Sequence, residues 1–248
     1  MWYAKPAGGY GYASTEGRAN INEMNGYFNS KGFSLESQAG IMGNVVSESG
    51  LNPWRWQSDT YNRGAGYGLF QYTPAYTMYG NIGYIDTCQS VDGYGPNLST
   101  STITTGARPE DGWAQCVAFA EDRLAKWVSW CWRDYWDRTT YSNLWDTRNR
   151  IVNTYGDGSS LTMAQFKTID DVYDATFAFL ACFEGPWVPN VSGRWSNAAA
   201  IYEMLSGVTP PDPPGPGPGP GPGPGPTPIE TSKFKFMFYL KPKWKKGF

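Results

Sequence analysis

The sequence of 248 residues contains no histidine. Ser-His-Asp and Cys-His nucleophile systems, H-E-x-x-H proteases and His-containing zinc sites all need an imidazole, so these classes are excluded. Acid–base chemistry near neutral pH then falls mainly to Asp and Glu, with Lys, Tyr and Cys as secondary candidates. Charge is also sparse, at 17% of residues, beside twelve Trp, seventeen Tyr and twelve Phe. That balance excludes a disordered chain and supplies one well-buried core or two small ones. No stretch reaches the ~20 consecutive apolar residues of a membrane helix, so no membrane span is expected. Cys88, Cys116, Cys131 and Cys182 show no C-x-x-C spacing, which argues against a four-cysteine metal site and against a redox dithiol of that type. Disulfides and buried free thiols both stay open. No metal or organic cofactor is expected. Residues Met1 to Pro6 carry no charged leader followed by an apolar run, so the expected route to an extracellular target is not a cleaved signal.

What is present is unevenly distributed. From residue 229 onward the chain holds Lys233, Lys235, Lys241, Lys243, Lys245 and Lys246 against Glu230, a net charge of +5, which leaves −7 on the preceding 228 residues. Between these parts, Thr209 to Pro214 runs into a strict Gly-Pro alternation from Gly215 to Pro226. Proline fixes its own φ and turns the preceding residue away from helix, so this stretch reads as an extended, solvated linker of up to roughly 60 Å. The expected organisation is a folded domain over 1–208, a linker over 209–228 and a basic aromatic tail over 229–248. The tail alternates lysine with aromatic residues at strand period but is too short to fold alone. It reads as the start of another module or as an anchor.

The folded part shows helical periodicity. Ser14 or Thr15 caps a helix ending near Gly32, and Ser34 caps a second one, with Leu35, Ala39, Met42, Val45 and Val46 on its inner face and a stop near Ser49-Gly50. The spacing predicts a long helix over about 109–136, an apolar central helix over 170–183, and a last helix over 194–205 that stops at Gly207. Residues 52–109 are rich in Gly, Tyr, Ser, Thr and Asn and read as loops with a short β-hairpin, the place for a binding surface. The predicted class is mainly α, a helical domain with a loop-rich insertion.

Glu48 is the leading candidate for chemistry. It falls in the last turn of the Ser34 helix, after Val45-Val46, where unpaired carbonyls, the negative end of the helix dipole and desolvation all disfavour a carboxylate. A carboxyl that keeps its proton near neutrality is what a general acid requires. The alternative is a solvated glutamate at a helix end. Trp54, Trp56, Tyr67, Tyr72 and Tyr76 surround this segment, whereas Trp113, Trp127, Trp130, Trp132 and Trp136 read as core.

Ser47-Glu48-Ser49-Gly50-Leu51-Asn52-Pro53, followed by Gly66-Tyr67-Gly68-Leu69-Phe70-Gln71-Tyr72, resembles the lysozyme superfamily, especially goose-type lysozymes and soluble lytic transglycosylases. The string Ala39-Gly40-Ile41-Met42-Gly43-Asn44-Val45-Val46-Ser47-Glu48-Ser49-Gly50 is similar to the phage tail lysozyme family. Phe179-Leu180-Ala181-Cys182-Phe183-Glu184-Gly185-Pro186, with Arg194 and Ala198 to Tyr202, resembles that family's C-terminal part. The resemblance runs from about Ala19 to Leu205, and it implies a mainly α fold of the α+β lysozyme-like type, with the loop-rich or short β-hairpin insertion lining a glycan cleft. It implies a phage-associated glycosidase acting on the β-1,4 bond between N-acetylmuramic acid and N-acetylglucosamine, with Glu48 as general acid.

By the same resemblance Asp59 is the candidate to position or deprotonate the attacking water, with a surface loop aspartate as the other reading, and Gln71 the candidate to bond an N-acetyl group or ring hydroxyl. Trp54, Trp56, Tyr67, Tyr72 and Tyr76 are the faces on which sugar rings could stack. Glu184 is given a structural or cleft-lining role, and Asp86 and Asp92 are weaker candidates. The implied partners are peptidoglycan glycan strands and other phage tail proteins, and the implied location is the virion tail, with a released endolysin as the alternative. Lytic transglycosylase and a non-catalytic wall-binding tail module are the rival readings of function. Nucleic acid is not required, since the body is acidic. The basic tail leaves open anionic wall polymers, a membrane surface, nucleic acid, or a solvated assembly edge.

Overall fold

The computed structural model describes residues 2–5, 7–60, 62, 64–73, 75, 110–122 and 125–213. A compact unit extends over Met1–Pro213. The Gly-Pro stretch, the basic tail, Cys88, Tyr76, Asp86 and Asp92 lie outside the described residues. Among the described residues the α-helices are α1 (Thr15–Ser30), α2 (Leu35–Ser49), α3 (Glu110–Ala120), α4 (Ser142–Thr154), α5 (Met163–Phe166), α6 (Val172–Phe179) and α7 (Val191–Ser206). No strand occurs among them, and the expected hairpin is reduced to isolated bridges, Trp56 with Tyr67 and Tyr67 with Tyr72. The class is mainly helical.

Helix starts follow local chemistry. Ser14, Ser34, Thr162, Asp171 and Asn190 each accept a backbone N–H in the first turn of α1, α2, α5, α6 and α7, satisfying donors that the helix itself leaves unpaired. Helix α2 stops where expected because Gly50 adopts φ 61, a left-handed conformation that costs glycine little.

Helix α2 lies between α6 and α7. A Cβ on Gly40 would come within 2.7 Å of Ala175 C and Thr176 N, and one on Gly43 within 2.6 Å of Arg194 O. The two glycines let three backbones approach more closely than any larger side chain permits, and Asn44 donates from Nδ2 to Thr176 O at 3.1 Å. Under α2 sits an aromatic cluster in which Phe119 meets Phe179 and Phe183 edge-on at 5.2 and 5.0 Å. Burial of such rings, at ~1.5–3 kcal/mol each, is the main stabilising term.

One expectation needs correction, two helices were not foreseen, and the state of three cysteines is settled. The helix predicted over 109–136 ends at Ala120. Asp122, Ala125 and Cys131 then take positive φ, and the chain turns back so that Val128 N donates to Cys182 O at 2.8 Å. The Trp spacing that suggested helix instead reflects packing on both sides of an irregular segment, with Trp132 and Trp136 buried and Trp130 exposed. Helices α4 and α5 escaped notice because the buried face of α4 mixes Leu144, Ile151 and Val152 with Thr147 and Arg148. Cys116, Cys131 and Cys182 are free buried thiols.

Candidate active site

Glu48 is the last but one residue of α2, and its carboxyl stands over an open groove of about 240 Å³ lined by Glu48, Arg55, Gln57, Ser58, Gln71 and Thr73. Its partner is a cation to which the sequence reading gave no role. Arg194 of α7 donates through Nη2 to Glu48 Oε1 at 2.5 Å and through Nη1 to Asn44 Oδ1 at 3.0 Å. Asn44 is held in turn by Gly40 O and Thr176 O. A chain of hydrogen bonds therefore runs from α6 through α2 to α7 and ends on the carboxyl, fixing its place from three helices. The A-G-I-M-G-N string thus has a local reason. Its glycines bring the helices together, and its Asn44 anchors the guanidinium.

The opposite wall is the Trp54–Thr73 loop, and buried amides tie it down. Asn52 Nδ2 donates to Lys5 O and Gly8 O, both at 2.8 Å, docking the N-terminal segment beside α2. Gln115 of α3 accepts from Leu69 N at 2.6 Å and donates to Pro53 O at 2.9 Å. Gly68 has φ +79 and lies against the Gln115 amide, so a side chain there would meet both backbone strain and Gln115 Oε1 at 2.1 Å. Gln115 was missed in the sequence because its neighbours on α3 read only as an apolar stripe.

The predicted residues separate into those at the groove and those beneath it. Gln71 lines the groove, but its Nε2 is used in donating to Arg55 O and Gly68 O, both at 3.0 Å. Asp59 is not part of the groove wall. Its exposed carboxylate accepts from Gly8 N at 2.7 Å and pairs with Arg55 Nε at 3.2 Å. These bonds hold it to the N-terminal segment and to Arg55, which itself lines the groove.

Trp54 and Tyr67 do not present stacking faces. Both are fully buried, and with Trp56, Tyr72, Ala114 and Ala118 they form a second small core beneath the loop. Trp56 and Tyr67 rings stand 4.4 Å apart there. Tyr72, nearly buried, has Lys126 Nζ over its ring at 4.6 Å. Large rings next to a polar loop were needed to hold that loop, which explains their clustering around the motif. Among the described residues Tyr135 and Trp187 form an exposed aromatic pair, with centroids 4.6 Å apart.

Glu184 is drawn closer to Glu48 than its place in the sequence suggested. It ends a π-helical turn, Leu180–Glu184, that continues α6. Its Oε1 is buried without a hydrogen-bond partner. Burial, reinforced by the Glu48 charge, pushes this carboxyl up to about 8 against the opposing pull of Lys126, Arg194 and Arg133. Lys126 is held below the usual ammonium range, chiefly by burial.

A mainly helical domain with a carboxyl at the end of its central helix, set over a groove walled by a polar loop, is of the lysozyme-like class. A family model described as phage tail lysozyme matches residues 19–205, and the chain belongs to that family. It is thereby a phage-associated lysozyme-type protein whose target is bacterial peptidoglycan.

Proposed function

We propose that the protein is a muramidase that cleaves the β-1,4 bond between N-acetylmuramic acid and N-acetylglucosamine, with Glu48 as general acid. The observation that carries this reading is the position of Glu48: the end of the central helix, one oxygen held by Arg194, facing a groove open to a polymer. Glu48 gives its proton to the leaving glycosidic oxygen, and the Arg194 guanidinium takes up the negative charge left on the carboxylate. Gln57, Gln71, Ser58 and Thr73 supply the polar wall against which sugar hydroxyls and amides are placed. Assembly into the virion tail accounts for action on the wall from outside.

The test is muropeptide analysis of digested walls with the parent protein and Glu48→Gln side by side. The variant should lose turnover by about 10²-fold or more, as expected for removal of a general acid, while melting unchanged and still binding walls. Retained turnover refutes the assignment.

A second reading, lytic transglycosylase, is favoured by one specific observation. Among the described residues the groove wall carries no second carboxylate beside Glu48 to hold water. The same digest decides between them, because a 1,6-anhydro end is one water lighter than a reducing end. A wall-binding module without activity would yield neither product.

A further inference from the structure

Trp187 is 78% exposed, while Trp54, Trp56, Trp132 and Trp136 of the same chain are buried. A single apolar side chain at the surface is ordinary, but a contiguous aromatic patch marks a contact. Tyr135, 40% exposed, stands beside Trp187 with ring centroids 4.6 Å apart and planes at 44°, and Val188, next in sequence, is exposed as well. Neither ring belongs to the Glu48 groove.

The pair is held in place by hydrogen bonds to backbone carbonyls. The π-helical turn Leu180–Glu184 ends at Gly185, at φ 57, and the Tyr135 hydroxyl donates to Gly185 O. Trp136 Nε1 donates to Pro186 O at 2.7 Å. Past the ring, Asn190 N donates to Val188 O at 2.9 Å and Val191 N to Pro189 O at 3.0 Å, leading the chain into the first turn of α7. Pro186 and Pro189 bracket Trp187-Val188 and fix their own φ. The loop is therefore set before a ligand arrives, so little ordering entropy is lost on binding. With its hydroxyl engaged by Gly185, Tyr135 offers its ring and not its polar end.

Size and charge say what such a surface takes. The two rings expose roughly 200–300 Å², well below the ~800 Å² per partner of a stable protein interface. No charged residue occurs from Gly185 to Gly193, so the loop itself gives an ionic ligand nothing to pair with. A β-1,4-linked pyranose fits both conditions. Its hydroxyls lie around the ring edge and leave apolar C–H faces that stack on Trp and Tyr. Peptidoglycan, the target of this family, is built on strands of such rings. Trp187 is seven residues from Arg194, the partner of Glu48, and the backbone between them spans at most ~20 Å. A glycan strand of a few sugars covers that length.

We propose that Tyr135 and Trp187 form a sugar-stacking platform outside the groove, which takes the apolar face of an uncharged pyranose of the wall glycan. The proposal rests on the family's wall target and not on the role of Glu48. The platform retains the polymer and takes no part in bond breaking.

The test uses the full chain carrying Glu48→Gln, so that the glycan stays intact. The probe is the tetramer of N-acetylglucosamine, which is uncharged and gives the basic tail no Coulombic attraction. In ¹H–¹⁵N spectra the Trp187 indole signal, identified by its loss in Trp187→Phe, should shift as the tetramer is added. An unmoved signal overturns the proposal. Retention on purified walls is then compared at high salt, where attraction by the tail is screened. Adding Trp187→Ala should weaken retention about tenfold with little change in melting, because the side chain is exposed. Trp187→Phe keeps a stacking face and should retain most of the binding. Undiminished retention in Trp187→Ala overturns the platform, and so does an equal loss in Trp187→Phe. If the platform binds while the protein with Glu48 intact releases no muropeptide, the muramidase reading fails and the platform stands.

Discussion

Replacing Gly43 by alanine tests whether the contact between α2 and α7 governs the site. A methyl group there would lie 2.6 Å from Ala198 Cβ and Arg194 O and 2.7 Å from Ala198 N. Two of these three atoms are backbone, so α7 has to retreat by about 0.8 Å to reach ordinary contact. Overpacking of this kind costs ~1–3 kcal/mol, offset by the ~1 kcal/mol that alanine gains over glycine inside a helix. The internal control is Gly26, inside α1 with nothing within 4 Å of the added methyl. Gly26→Ala should stabilise by up to ~1 kcal/mol. In urea unfolding the two variants should therefore differ by about 1–3 kcal/mol, with Gly43→Ala the weaker. The functional effect should exceed the change in stability, because Arg194 sits on the displaced turn and a ~1 Å misplacement in a catalytic site costs about 10²-fold. Equal stability of the two variants, or full wall digestion by Gly43→Ala, would refute the reasoning.

Other outcomes follow from burial and charge. Asp174 is pushed up to about 7, first by burial, with Arg150 pulling the other way, and Glu184 is pushed up to about 8. Between pH 5 and 8 the folded chain retains protons that the unfolded chain has lost, so stability should fall as pH rises through this window, by at most ~1.4 kcal/mol per unit for each group. Urea unfolding at pH 5 and 8 checks this, and a protein more stable at pH 8 contradicts it. Trp54→Ala and Tyr67→Ala remove fully buried rings and should cost several kcal/mol, ~3–5 for the tryptophan, seen as a lower unfolding midpoint and not as a change in KM of the folded fraction. Asp59→Ala breaks an exposed ion pair worth at most ~1 kcal/mol and should leave turnover largely intact, so a collapse of activity would return Asp59 to the catalytic machinery.

The helices that carry the site were legible because their signals are local. Ser34 as cap, the three- and four-residue spacing through Val45 and the stop at Gly50 are properties of neighbouring residues, and the structure repeats them in α2. The segment after Ala120 was not legible in this way. Its tryptophans keep a helical spacing while the backbone turns at Asp122, Ala125 and Cys131, held by contacts with residues some fifty positions later, such as Arg133 Nη2 to Phe183 O. The aromatic residues near Glu48 misled for a related reason. Composition places rings next to a polar loop but does not say which side of the loop they cover, and Trp54 and Tyr67 turn inward.

By itself, then, the sequence bounded what chemistry is available. The absence of histidine leaves carboxyls as the principal acids and bases, and the place of Glu48 at the end of a capped apolar helix made it the residue proposed as the acid. Tertiary structure alone decided which groups surround it. Arg194 is 146 residues from Glu48 in sequence and 2.5 Å away in space. Glu184, 136 residues beyond Glu48, feels its charge and keeps a buried, unpaired Oε1 through the same packing. The ionisation of a carboxyl is set by the charges and solvent it faces, and those are fixed by packing between distant segments, which no local pattern encodes.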